Sequence, residues 1–293
     1  MEHPKEEGEK AAVADRRTQV PLRTTEQTIL PMPDAYFNLP LIIAAPLLVG
    51  AICLYSLVGL EFVRRLVFPR LRITSEESDF TGAMVQAIMV FYGLAVALIA
   101  VSVWETHSSV SDTVSLEASR VAGLYRDAGG YPEPLRSDVR GELEGYIDHV
   151  ITEAWPLQRK GILPDGGVAW MDRLQASLTG FEPQTEGQKI LHGEALRAFN
   201  LMMEARRLRL DAVTTKLSGV LWFVIGAGGL VSLASTFFFK VEDVRYHRVQ
   251  VVLLAAFVGM VINLIAALDR PFRGDLGIDA GPYRLVQDQL MKQ

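Results

Sequence analysis

Residues 82–104 read GAMVQAIMVFYGLAVALIAVSVW, a run from Gly82 to Trp104 without one charged side chain. Three further runs share that character: Leu39 to Leu60 (LPLIIAAPLLVGAICLYSLVGL), Leu217 to Phe239 (LSGVLWFVIGAGGLVSLASTFFF) and Val249 to Leu268 (VQVVLLAAFVGMVINLIAAL). A helix rises about 1.5 Å per residue, so about 20 apolar residues cross the roughly 30 Å hydrocarbon core of a bilayer. Each run is long enough. Their ends carry residues that anchor helices at an interface: Tyr36 and Phe37, Arg64 and Arg65, Trp104, Trp222, Phe237 to Lys240, and Arg270. The chain reads as an integral membrane protein with four spans.

Composition agrees with that reading. Of 293 residues, 49% are hydrophobic and 22% charged, and the mean hydropathy is +0.21. The apolar residues are clumped, so the average conceals membrane spans among polar segments. A formal net charge of -5 leaves no basic surplus for nucleic acid. The single cysteine, Cys53, excludes an internal disulfide, a cysteine-based zinc site and a thiol redox pair.

Between the spans, residues 1–37 are polar and aperiodic, with five Lys/Arg against seven Asp/Glu, which predicts a disordered tail. Residues 38–104 carry the first two spans. Residues 105–216 are too polar for lipid, and their apolar residues recur at helical spacing. Val110, Val114, Val121 and Leu124 continue the second span to a stop at Gly129-Gly130. Leu135, Val139, Leu143, Tyr146 and Val150 mark another helix, stopped by Trp155-Pro156. Met171, Leu174 and Leu178 mark a short one, closed by Gly180 and Pro183. Leu191, Ala195, Ala198, Met202 and Ala205 predict a helix running straight into the third span. Residues 217–268 hold spans three and four, and 269–293 form a C-terminal tail. The fold class is all-α: four transmembrane helices with a membrane-proximal helical bundle inserted between the second and third.

Basic residues in short loops set orientation. Arg64, Arg65, Arg70 and Arg72 follow the first span, and Lys240, Arg245 and Arg248 follow the third. Both short loops are therefore expected in the cytoplasm.

No catalytic constellation is legible, so no enzyme, cofactor or metal is expected. The five histidines form no paired spacing, and Glu105 and His107, two apart on a helix, point to different faces. Polar residues inside the spans are few, Gln86, Ser102, Ser218, Ser232, Ser235 and Asn263 among them, and none is Asp, Glu, His, Lys or Arg. That argues against a proton-coupled pump, which needs a buried relay, and leaves room for a passive pore. Gln86 and Asn263 either face a water path or bond a neighbouring helix. Gly228 with Ser232, and Gly93 with Ala97, offer small faces for close helix approach. Arg206, Arg207 and Arg209, just before the third span, read either as positive charge at a pore mouth or as solvated charge, paired in part with Glu204 or with acids of the second-span extension.

Several stretches together resemble the bestrophin-like domain family of bacterial membrane proteins. They are Glu117 with Leu124-Tyr125-Arg126; Pro134 and Arg136; Tyr146, Glu153 and Trp155-Pro156; Ala205-Arg206-Arg207-Leu208-Arg209-Leu210; Leu221-Trp222; and Leu268-Asp269-Arg270-Pro271-Phe272-Arg273-Gly274-Asp275. The chain departs from the family pattern at Ala154, where an acidic residue is common, and in its long N-terminal tail. The resemblance implies four spans in a bacterial inner membrane and a remote likeness to bestrophins, pentameric anion channels that keep their helical segment in the cytoplasm. The loop charges point the other way.

Two functions follow as expectations. One is a homo-oligomeric passive anion channel lined by the second span, with Met89, Phe91, Tyr92 and Val96 as candidates for an apolar neck. The other is a non-conducting anchor or sensor whose helical domain binds a protein partner. Lipid and self-association are the expected contacts. At the last span, Pro271 predicts a helix end near Asp269, and Gly274 a turn that folds the tail along the membrane. Asp269 is expected to pair with Arg270, Arg273, Arg206, Arg207 or Arg209 in a structural clamp, the alternative being a solvated acid at a helix end.

Overall fold

The computed structural model describes residues 33–70, 75–239 and 241–292, and among them there is helix and no strand. A helical turn α1 (Asp34–Phe37) leads through Pro40 into α2 (Leu41–Phe62), which continues as a π turn to Val67. Then come α3 (Ser75–Ala128), α4 (Leu135–His149), α5 (Trp155–Gln158), α6 (Val168–Thr179), α7 (Glu186–Ala212), α8 (Gly219–Ser235), α9 (Val244–Leu268) and α10 (Gly281–Val286). Four of these, α2, α3, α8 and α9, are long and apolar enough to cross a membrane. The protein is an all-α membrane protein.

The longest helix is α3, 54 residues without a break. At about 1.5 Å per residue it is about 80 Å long, so more than half of it stands outside the bilayer. Its upper part packs against α7, α4 and α10 around Val114, Val121, Leu124, Leu143, Ile147 and Met202, all fully buried. Its lower part packs on α8 and α9. In the membrane α9 is the central helix, laid along α2, while α2 and α3 bury only 11% of their most apolar window. At the short-loop side Glu61 joins two spans, accepting from Arg65 at 2.7 Å and Arg248 at 2.8 Å.

Local chemistry explains several boundaries. Thr185 and Gln188 form a reciprocal capping box that starts α7, with bonds of 3.2 and 3.3 Å. Asp243 caps α9 through the amides of Arg245 and Tyr246. The chain leaves the α9 C-terminus at Asp269, where Pro271 prevents continuation, and Gly274 adopts φ +72°, a conformation that glycine takes at no steric cost.

Four expectations need correction. Of the polar tail, residues 1–32 lie outside the described residues, but Asp34–Phe37 is helical and Phe37 is buried, because two arginines of the C-terminal segment hold it. The helix α4 does not stop at Trp155-Pro156: a π turn over Val150–Ala154 carries it into α5, and Pro156, which would disrupt a regular α-helix, follows directly on that wider turn. Helix α7 does not run into the third span. It ends at Ala212, and residues 213–218 are not helical before Gly219 begins α8. The consecutive β-branched residues Val213, Thr214 and Thr215 weaken helix there, and the Leu217 amide finds an acceptor outside the helix. The C-terminal tail does not lie along the membrane. The Ile278 amide donates back to the Pro271 carbonyl at 2.8 Å, and α10 then enters the helical domain, where Tyr283 is wholly buried.

Candidate functional site

The segment Leu268-Asp269-Arg270-Pro271-Phe272-Arg273-Gly274-Asp275 joins the spans to the helical domain, and its four charged residues reach three other parts of the chain. Asp269 accepts from the Leu217 amide at 2.5 Å and from the Trp222 indole at 3.3 Å, holding the α7–α8 connection. Arg270 and Arg273 both donate to Asp34, at 2.5 and 3.1 Å, and Arg273 also reaches the Asn38 side chain at 3.4 Å. Their guanidinium groups lie 4.6 and 5.4 Å from the Phe37 ring centre, within cation–π range. Phe272 turns the other way and meets the Trp155 ring edge-on at 5.6 Å. Asp275 accepts from the Leu41 amide at 2.7 Å, placing a carboxylate at the positive end of the first span.

These contacts correct the expected clamp. Asp269 pairs with no arginine among the described residues; the break after α7 frees an amide closer to it, and Pro271 turns Arg270 and Arg273 toward α1. Burial raises the Asp269 pKa, against the opposing amide and indole bonds. Hydrogen bonds from Arg270 hold the Asp34 carboxyl below the usual carboxylate range.

The three arginines before the third span separate as well. Arg209 is buried and donates to Glu117 through Nε at 2.7 Å and Nη2 at 3.2 Å. Tyr146 donates its hydroxyl to the same carboxylate, and Arg209 Nη2 reaches the Tyr146 oxygen at 3.3 Å. Burial opposes the Arg209 charge, but the Glu117 carboxylate outweighs it and holds the pKa well above the ordinary arginine value. Burial and that same carboxylate push the Tyr146 phenol up. Arg209 thus pairs with an acid of the second-span extension, but the pair is buried where solvated charge is expected. Arg207 is exposed, 3.8 Å from Asp211. Arg206 is buried beside Gly167.

In the membrane, Met89, Tyr92 and Val96 lie on one face of α3, as their spacing of three and four dictates. With Gly93, Leu254 and Phe257 they line a cavity of about 400 Å³ between α3 and α9. Phe91 points elsewhere and is 73% exposed. Tyr92 is also a packing residue: its hydroxyl donates to the Ile225 carbonyl at 3.0 Å, and its ring fills the space left by Gly228 and Gly229. Asn263 bonds the Tyr36 hydroxyl at 2.6 Å, which places it against a neighbouring segment. His107 lies 3.1 Å from the Leu276 carbonyl, and among the described residues no group of three His, Cys, Asp or Glu side chains is placed to hold a metal ion.

The sequence reading missed Asp34, Asn38 and Asp275 as partners. Asp34 carried a signal, being the only charged residue between Glu26 and Glu61. Comparison with curated proteins and with solved structures finds no match. The Bestrophin-like domain matches residues 50–283, which contain three of the four spans whole, most of the first, the entire helical insert and the Asp269–Asp275 segment. By that match this chain belongs to the Bestrophin-like domain family.

Proposed function

We propose that this chain is the subunit of a homo-oligomeric passive channel with no enzymatic activity. The observation that carries the reading is the membrane face of α3. Only 11% of its most apolar window is buried within the subunit, and Gln86, Gly93 and Ala97 are exposed on it. A polar side chain and two small residues on a lipid-facing helix are better accommodated against copies of the same helix. That the apolar runs contain no Asp, Glu, His, Lys or Arg fits passive conduction. Anion preference rests on the family likeness, and the seven basic residues of the short loops support an orientation with those loops in the cytoplasm of a bacterial inner membrane.

The test is mass determination in detergent joined to chloride flux from liposomes containing the purified protein. A complex of three or more subunits with flux above protein-free liposomes is the expected result. A monomer or dimer cannot surround a pore with one α3 each, and that result overturns the channel reading. The second reading, a non-conducting sensor, is favoured by the continuity of α3 from membrane to domain; an oligomer without flux, whose helical domain captures a partner, would support it.

A further inference from the structure

The turn Gly166-Gly167 enters α6, a 12-residue helix whose first amides no side chain caps. Those amides have no partner within the helix and carry the positive end of its dipole. Two side chains from other helices press against the turn. A Cβ on Gly166 would lie 2.6 Å from Cε1 and 3.2 Å from Nε2 of His149, and one on Gly167 would lie 2.8 Å from Nη2 of Arg206. Only glycine lets the backbone come so close.

Both side chains are more than nine-tenths buried, His149 at 8% and Arg206 at 9% exposure. His149 Nε2 and Arg206 Nε have no hydrogen-bond partner among the described residues. Arg209 and Arg207 form ion pairs with Glu117 and Asp211, whereas no ion pair is formed by Arg206 among the described residues. Arginine keeps its proton, and a buried charge without a counter-charge is strongly unfavourable. A built cradle with an unpaired cation calls for an anion.

We propose that the α6 N-terminus, Arg206 and His149 form a binding site for a phosphate group. The amides of the turn and the guanidinium donate to phosphate oxygens, as at other uncapped helix N-termini. Glu153 holds His149 Nδ1 at 3.0 Å, so Nε2 is the atom offered to the ligand. It donates to an oxygen when the ring carries both protons and accepts from a P–OH when the ring is neutral. That second option favours phosphate over chloride or sulfate.

The phosphate could be free in solution or part of a lipid headgroup. The preceding loop lies against the segment that follows the fourth span, since a Cβ on Gly161 would lie 3.6 Å from Cδ of Arg273, and it exposes apolar side chains, Ile162 and Leu163 each at 50%.

The full-length protein in phosphate-free detergent buffer, at constant ionic strength, is titrated with inorganic phosphate and separately with dihexanoylphosphatidic acid. Thermal midpoint and ³¹P line width are followed. At least one probe should give a saturable rise in midpoint that sulfate and chloride do not give. A response to inorganic phosphate supports a soluble ligand, and a response to the lipid alone supports a bilayer headgroup. Arg206→Gln and Gly167→Ala should each weaken binding at least about tenfold, the order expected for one charge-assisted hydrogen bond. The exposed control Arg207→Gln should bind as the parent does. Arg206→Gln removes an unpaired buried charge, so its ligand-free midpoint should not fall, which separates lost binding from unfolding. If neither probe exceeds the salt controls, or Arg206→Gln responds like the parent, the proposal is overturned.

Discussion

Arg209 and Glu117, 92 residues apart, meet through two nitrogen–oxygen contacts at the centre of the helical domain, and Tyr146 donates its hydroxyl to the same carboxylate. Neither charge has water to fall back on. Removing one partner should therefore cost about 3–5 kcal/mol, while replacing both with apolar residues of similar size should cost far less. Thermal unfolding in detergent of Glu117→Leu, Arg209→Met and the double variant checks this. Additive losses in the double variant would contradict it.

Asp34 couples stability to pH. Its carboxyl is held below the ordinary 3.8 by hydrogen bonds and charge from Arg270, with Arg273 adding to the effect. A lowered acid stabilises the fold above its unfolded pKa, and that contribution is lost as pH falls through the lower folded value. The stability difference between the parent and Asp34→Asn should be constant at neutral pH and close only below 3.8. A difference that already closes near pH 6 would count against the tether.

Gly229 and Tyr92 form a specific steric pair. A Cβ on Gly229 would lie 2.8 Å from the Tyr92 hydroxyl, while one on Gly228 would meet the ring carbons at 2.8 and 2.9 Å. Gly229→Ala should lose about 1–3 kcal/mol, the usual range for overpacking. Tyr92→Phe should relieve part of that loss and none of the loss from Gly228→Ala. A double-mutant cycle on thermal midpoints distinguishes the two.

Gly274 turns the chain at φ +72° with open space around it. Gly274→Ala should cost about 1–2 kcal/mol from backbone conformation alone, and Gly274→Asn less, because asparagine tolerates the left-handed region. Equal stability of the alanine variant and the parent would show that the turn relaxes.

The spans and the helices of the insert were legible because their signal is local: an uncharged run, or apolar residues three and four apart. The Gly274 turn and the helix end at Asp269 were legible for the same reason. The partners were not. Arg270 and Arg273 sit beside Asp269 in sequence, so proximity suggested a local pair, but their acceptor is Asp34, 236 and 239 residues away. Periodicity placed Arg206 and Arg209 on one helix three residues apart and said nothing of their separate surroundings. The break after Ala212 was hidden because Val213 and Leu217 are as apolar as the runs on either side.

The unbroken α3 makes the molecule a lever. From the middle of its membrane segment near Gly93 to its end at Ala128 is about 50 Å at helical rise, with no interior proline to absorb a bend. A tilt of about 5° at the bilayer would sweep the far end through about 4 Å. Because α4, α7 and α10 are packed along that arm, a small change in how the spans lean becomes a displacement of the whole domain, and a load on the domain is felt by the spans in return.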